Sequence, residues 1–333
     1  MKMEIKAADV AKLRQMTGAG MMDCKKALVE ANGDYERAKE IIREKGKLVA
    51  AKRADRETSE GRVIAKVNGN KAIVVGLGCE TDFVAKNEEF KALAEAIAEA
   101  AIANCPADKD ALMACVLADG RTVEAAVTEQ TGKTGEKHQV AGYEVVEAPY
   151  IVAYMHNVTG KLAAVVGFNK EFDAQVAKGV AMQVASMNPV AVSAESVPQN
   201  VIDAELKTAT EKTKEELVQK AVDAALSKAG INPAHVDSEA HIESNQAKGW
   251  ITAEQAEQAR EIIKTVSAEK AANLPEQMVA NIAKGRLQKF FKEQTLEEQG
   301  YQMGDGKTAV KDVVKAADAE AKVLSFKRVS LAD

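Results

Sequence analysis

The sequence predicts an α+β fold with an N-terminal three-helix module, two related core halves each built from a small antiparallel sheet plus helices, and a protruding antiparallel helical hairpin. Three observations carry this. Residues 1–46 place apolar side chains at helical spacing with Gly or Asp at the breaks, a hairpin-then-helix pattern occurs twice from residue 61 onward, and residues 201–292 are rich in Ala, Glu and Lys. The expected organisation is a helical module over 1–46, a linker over 47–60, a first core half over 61–147 and a second over 148–200. A helical hairpin over 201–292 is inserted in the second half, and a closing segment over 293–333 returns its last strand.

In the module, Val10 and Leu13 mark the first helix, Cys24, Ala27, Leu28 and Ala31 the second, and Tyr35, Ala38, Ile41 and Ile42 the third. Gly18-Ala19-Gly20 ends the first helix, and Asn32-Gly33-Asp34 ends the second while offering Asp34 as N-cap of the third. Met21 and Met22 stand between the first two helices as soft thioethers suited to an adaptable contact, with one of the pair expected to seal the small core. Residues 47–60 carry mixed charges and read as a linker with some helix.

The first hairpin joins Val63–Val67 to Lys71–Gly76 through Asn68-Gly69-Asn70, and the second joins Ile151–Met155 to Lys161–Gly167 through a turn ending at Gly160. Each is expected to lead into a helix opening on Glu-Phe, at Glu89-Phe90 and at Glu171-Phe172. Twelve residues separate Gly76 from Glu89 but only three separate Gly167 from Glu171, so the first copy has nine extra, and Thr81-Asp82-Phe83-Val84 lies among them. Phe83 either folds back as a core plug or projects from the connection. The second copy joins strand to helix without those residues, which favours projection. Helical stretches near Asp108–Leu117 and Arg121–Glu129 then lead to a third strand at Gln139–Val146, and Lys322–Val329 supplies the third strand of the second half. The hairpin arms are expected at Val201–Ala229 and Thr252–Phe291, broken near Gly230–Pro233 and Lys248–Trp250.

A net charge of −5, from 45 basic and 50 acidic residues without a large block of one sign, argues against direct nucleic-acid binding. No apolar run reaches the length of a membrane span and no secretory leader is visible, so a cytoplasmic protein is expected. Cys24, Cys79, Cys105 and Cys115 form no C-x-x-C pair and read as buried thiols. Gly132-Lys133-Thr134 and Gly306-Lys307-Thr308 are not phosphate loops, because Val127 and Tyr301 stand where the earlier glycine is needed. The four histidines form no H-x-x-x-H pair and no G-x-S-x-G occurs, so no metal, cofactor or catalytic role is expected. No feature bears on homo-oligomerisation.

Two runs, Thr17-Gly18-Ala19-Gly20-Met21-Met22-Asp23-Cys24-Lys25-Lys26-Ala27-Leu28 and Thr81-Asp82-Phe83-Val84-Ala85, resemble the two signatures of the bacterial-type elongation factor Ts family. The resemblance extends over nearly the whole chain. It implies a ubiquitin-associated-like N-terminal module and a nucleotide exchange factor, not an enzyme, whose partner is elongation factor Tu. It also implies that Leu13, Met21, Met22 and Lys25 hold a helix of that GTPase. Thr81, Asp82, Phe83 and Val84 would then dislocate the partner's magnesium and nucleotide-site elements. Thr134, Gly135, His156, Gln302 and Met303 align with further contact positions, with Thr134 replacing an apolar residue of some relatives. Departures are a longer hairpin between about Gly230 and Thr252, and an end at Ser330–Asp333 without the further helix that some relatives carry. The alternative, from another class, is a helical adaptor for a different translation or quality-control protein.

Overall fold

The computed structural model describes residues 5–332, and the first four residues and Asp333 lie outside the described set. Three short helices open the chain: α1 (Ala7–Thr17), α2 (Met21–Glu30) and α3 (Tyr35–Lys52). Their apolar stripes meet in a small core of Val10, Leu13, Cys24, Ala27, Leu28 and Ala38. Asp34 caps α3 as expected, accepting from the backbone N–H groups of Glu36 and Arg37 at 2.9 and 3.1 Å. The helix runs on to Lys52, well into the stretch expected as a linker, because Gly46 lets it lie against a later helix.

Two three-stranded antiparallel sheets follow. The first joins β1 (Glu60–Asn68), β2 (Lys71–Cys79) and β3 (Gln139–Glu147); the second joins β4 (Tyr150–Met155), β5 (Leu162–Phe168) and β6 (Val323–Ser330). One face of each sheet packs on the other through Val63, Val74, Val146, Ala163, Val165 and Val329. The opposite face of the first sheet is covered by α5 (Glu88–Asn104) and α7 (Val123–Thr134), and helix α8 (Ala174–Met187) packs on β4 and β5. The central strands are therefore buried on both faces, which explains the continuous apolar runs at Ala72–Leu77 and Ala163–Phe168. Gly76 and Gly167 permit this closeness: an added Cβ would sit 3.1 Å from a Val329 methyl at the first and 2.6 Å from Ala148 Cβ at the second. Each central strand also shifts register just after its glycine, so the repeat predicted from sequence extends to a shared irregularity.

The expected Glu-Phe helix start holds only in the first copy. Helix α5 begins at Glu88, whereas α8 begins at Ala174, capped by Asp173, and Phe172 lies on the connection before it. Eight residues (80–87) separate β2 from α5 and five (169–173) separate β5 from α8, so the surplus of the first copy is smaller than nine. What remains distinctive is a one-turn helix in that connection, α4 (Asp82–Ala85). Helix α6 (Lys109–Ala114) lies between α5 and α7. Cys24 and Cys79 are buried, but Cys105 and Cys115, expected to be so, are half-buried at helix C-termini where the chain turns outward.

Residues 193–298 form a second compact unit, a long helical hairpin. Its first arm is α9 (Gln199–Lys228). The returning arm is not one helix, as the sequence reading had it, but two, α11 (Ala253–Ala272) and α12 (Glu276–Gln294), both packed on α9. Pro275 breaks it: the ring removes an N–H and pushes Leu274 out of helical conformation. Between the arms, α10 (Glu239–Ala247) closes a local core of Val222, Leu226, Ile231, Val236, Ile242 and Ile251. Residues 299–332 belong with the sheets and add α13 (Val310–Ala317), whose Val310 and Val314 are buried. No described helix is long and apolar enough to cross a membrane.

Candidate partner-binding site

Helix α4 is too short to be stable alone and is held by its surroundings. Thr81 caps it, its hydroxyl accepting from the Val84 N–H at 3.5 Å. Val84 and Ala85 turn inward onto the first-sheet core, while Phe83 is left 82% exposed. The core-plug alternative for Phe83 is thereby excluded. Asp82, beside Phe83, accepts from the Lys86 ammonium one turn later at 2.6 Å, and this hydrogen bond holds its carboxyl below the usual carboxylate range. The tip thus presents an apolar ring flanked by an ionised carboxylate.

The loop is fastened from below by the segment between α7 and β3. Glu136 accepts the Thr81 backbone N–H at 3.1 Å and the Thr81 hydroxyl at 2.7 Å. Glu80 accepts the Lys137 N–H at 2.6 Å, and its two oxygens each lie 2.8 Å from one Arg53 guanidinium nitrogen. Lys137 in turn donates to the carbonyls of Ala54 and Arg56 at 2.6 and 2.8 Å. Cys79 lies beneath the loop, donating to the Thr81 carbonyl at 3.3 Å, and burial pushes its thiol up to about 12, so it stays protonated. These bonds bring Thr134 and Gly135 to the loop. Gly135 ends α7 in the left-handed region at φ 73°, and the Thr134 hydroxyl accepts the Glu136 N–H at 3.1 Å, aiming the Glu136 carboxylate at Thr81.

On the N-terminal module, Met21 and Met22 are 43% and 64% exposed at the start of α2, so neither seals the core as one was expected to. Lys25, one turn on, is also exposed. Leu13, expected among the contact residues, is fully buried in the module core with Val10, Cys24 and Leu28. His156 sits half-buried in the turn between β4 and β5, within 3.0 Å of the Tyr154 hydroxyl. Gln302 and Met303 are exposed on the loop before α13, with the Gln302 N–H bonded to the buried Gln183 side chain at 2.9 Å. Among the described residues, these three share no hydrogen bond or ion pair with the Thr81 loop.

Sequence reasoning missed Arg53, Glu80 and Glu136. They are ordinary charged residues in unremarkable local sequence, and their partners lie 27 and 55 positions away. The only available hint was the adjacency of Glu80 to the Thr81-Asp82-Phe83-Val84 run.

A sequence model described as "Elongation factor TS" matches residues 80–333, beginning one residue before Thr81. Proteins named elongation factor Ts are similar over almost the full length of both chains. That of Phocaeicola vulgatus is 55% identical over 329 residues and that of one Bacteroides fragilis strain 56% identical over 329, each covering 99% of both chains. The protein of Porphyromonas gingivalis is 39% identical over 329 residues with the same coverage. With a matching model over most of the chain and relatives aligned from end to end, the chain belongs to the elongation factor Ts family.

Proposed function

We propose that the chain is a guanine nucleotide exchange factor that binds elongation factor Tu in its GDP-bound form and promotes GDP release in the cytoplasm, acting by binding and not as an enzyme. Family membership supports the exchange role in translation elongation. The observation that carries the mechanism is the pose of Phe83, a large ring 82% exposed on a helix pinned by Thr81, Val84 and Ala85. Leaving such a ring in water forgoes about 1.5–3 kcal/mol of burial, which becomes available when a partner covers it. That is worth about one to two orders of magnitude in a rate if realised only in the nucleotide-loosened state. By linkage, if gripping Phe83 weakens GDP binding by some factor, bound GDP weakens the grip on Phe83 by the same factor. Met21 and Met22 would supply the part of the contact that does not depend on nucleotide, since their flexible thioethers adapt to an apolar helix face.

The test is release of fluorescent GDP from elongation factor Tu. Phe83→Ala is expected to slow stimulated release roughly tenfold or more with the fold unchanged, and release at the native rate would sink the wedge mechanism. Met21→Ala combined with Met22→Ala is expected to weaken complex formation severalfold while leaving the circular dichroism of the free protein intact. A complex insensitive to added GDP would instead favour the adaptor reading.

A further inference from the structure

The stretch Gly132-Lys133-Thr134-Gly135-Glu136, the end of α7 and the residues after it, contains one of the two triplets rejected as phosphate loops and touches both contact regions at once. We propose that it is a positioning bridge that presets the spacing between the Met21–Met22 ledge and the Phe83 tip, with Glu136 as the positioning residue for Phe83. The inference rests on the exchange reading given above and names the residues that make its two contacts act together.

Toward the ledge, the bridge works by close approach. A Cβ added at Gly132 would lie 2.9 Å from the Gly46 Cα, so α7 and α3 meet backbone to backbone, and α3 is the last helix of the module carrying the methionines. A Cβ added at Gly18 would lie 2.7 Å from Lys133 Cε, so the loop leading into Met21 rests on the Lys133 side chain. Lys133 is held in turn by Glu129 at 3.3 Å. Toward the tip, the Thr134 hydroxyl donates to the Gln130 carbonyl at 3.0 Å and accepts the Glu136 N–H, so the end of α7 delivers the carboxylate that takes both Thr81 donors. The Arg53–Glu80–Lys137 contacts close a second route from the end of α3 to the same loop.

Two contacts whose spacing is preset do not pay again for ordering when the second forms after the first. A charged acceptor taking two hydrogen bonds is suited to this because each such bond is stronger than a neutral one. A Phe83 tip freed of Glu136 would remain attached to the chain and remain apolar, but it would visit its outward pose for only part of the time.

The experiment combines Glu136→Ala, Glu136→Gln, Phe83→Ala and the double variant Glu136→Ala with Phe83→Ala. Each is assayed as the full chain for GDP release from elongation factor Tu over a range of chain concentrations. Glu136→Ala is expected to lower the maximal stimulated rate roughly three- to tenfold while leaving the half-saturating concentration, set by the methionine ledge, little changed. Glu136→Gln should restore most of the rate, because its amide oxygen still accepts the Thr81 N–H. The double variant should be no slower than Phe83→Ala alone, since Glu136 acts through Phe83. In the free protein, amide hydrogen exchange over residues 81–86 should accelerate in Glu136→Ala and not in Glu136→Gln. A normal rate for Glu136→Ala alongside a slow Phe83→Ala overturns the proposal, as do losses that simply add in the double variant. If Phe83→Ala itself is inert while the native chain stimulates release, the wedge mechanism fails and the exchange reading stands, and hydrogen exchange alone then decides whether Glu136 holds the tip. No stimulation by the native chain is what sinks the exchange reading.

Discussion

The two strand-to-helix junctions of the core are built from the same plan and put their aromatic residue to opposite use. After β5, Phe172 turns back and packs edge-on against Phe168 at 5.0 Å between ring centres and near Tyr150 at 6.4 Å. After β2, the corresponding connection carries α4 and holds Phe83 in solvent. Each junction is fastened to the segment entering the third strand of its own sheet. Asn169 exchanges hydrogen bonds with the backbone of Glu320 and Lys322 at 2.8 and 2.7 Å, as Glu80 and Glu136 fasten the first junction around Lys137. The fastening is thus common to both copies, and the difference lies in what it holds. In the second copy it closes an aromatic cluster, and in the first it keeps an aromatic from closing one. An exposed ring on a pinned turn is a costly arrangement that the second copy avoids, which is why the first junction is read as the working one.

The largest effect that could break this contrast is on stability. Phe168→Ala, which empties a fully buried ring site in the second copy, is expected to cost about 3–5 kcal/mol, whereas Phe83→Ala should change stability by less than about 0.5 kcal/mol. Urea unfolding of both variants decides it, and a comparable loss from Phe83→Ala would mean that the ring supports the fold after all. A smaller effect concerns acid. The first half buries His138, 6% exposed, beside Phe90, and its Nδ1–H donates to the Glu136 carbonyl at 2.9 Å while Nε2 has no partner among the described residues. Burial outweighs the nearby carboxylates of Glu136 and Glu80 and holds the imidazole below its ordinary value of 6.5. The folded state therefore binds fewer protons than the unfolded chain, so this contribution is fully present above about pH 6.5 and is lost as pH falls through and below that value. Protection factors, taken relative to intrinsic exchange at each pH, should fall on acidification more in β2 and β3 than in β5 and β6, and His138→Phe should remove the difference. An equal fall of protection in both sheets would leave His138 without a role.

Much of the fold was legible because its signals are local. Alternation and turn glycines located the six strands of the described residues, and helical periodicity with caps such as Asp34 located the N-terminal helices. Pro275 was a legible signal that the reading of one continuous arm passed over. The repeat was visible too, but aligning it on Glu-Phe misplaced the second helix, since Phe172 belongs to the connection and Phe90 to the helix. The candidate site was half legible. Phe83, Met21 and Met22 stand out as apolar residues between elements, whereas Leu13 looks the same in sequence whether it faces solvent or core.

The sequence by itself determined the described strands, the N-terminal helices, the twofold repeat and the family, because periodicity, turn chemistry and two long signatures are each written within a few neighbouring residues. Only the tertiary structure decided that the two sheets share a face, that Leu13 is spent on the module core, and that Glu136 reaches across 55 positions to hold Thr81. The reason is that burial and the direction of a side chain depend on which surfaces meet. Two carboxylates on separate connections, Glu80 after β2 and Glu136 after α7, acquire their meaning only when folding brings Arg53, Lys137 and Thr81 within hydrogen-bonding distance.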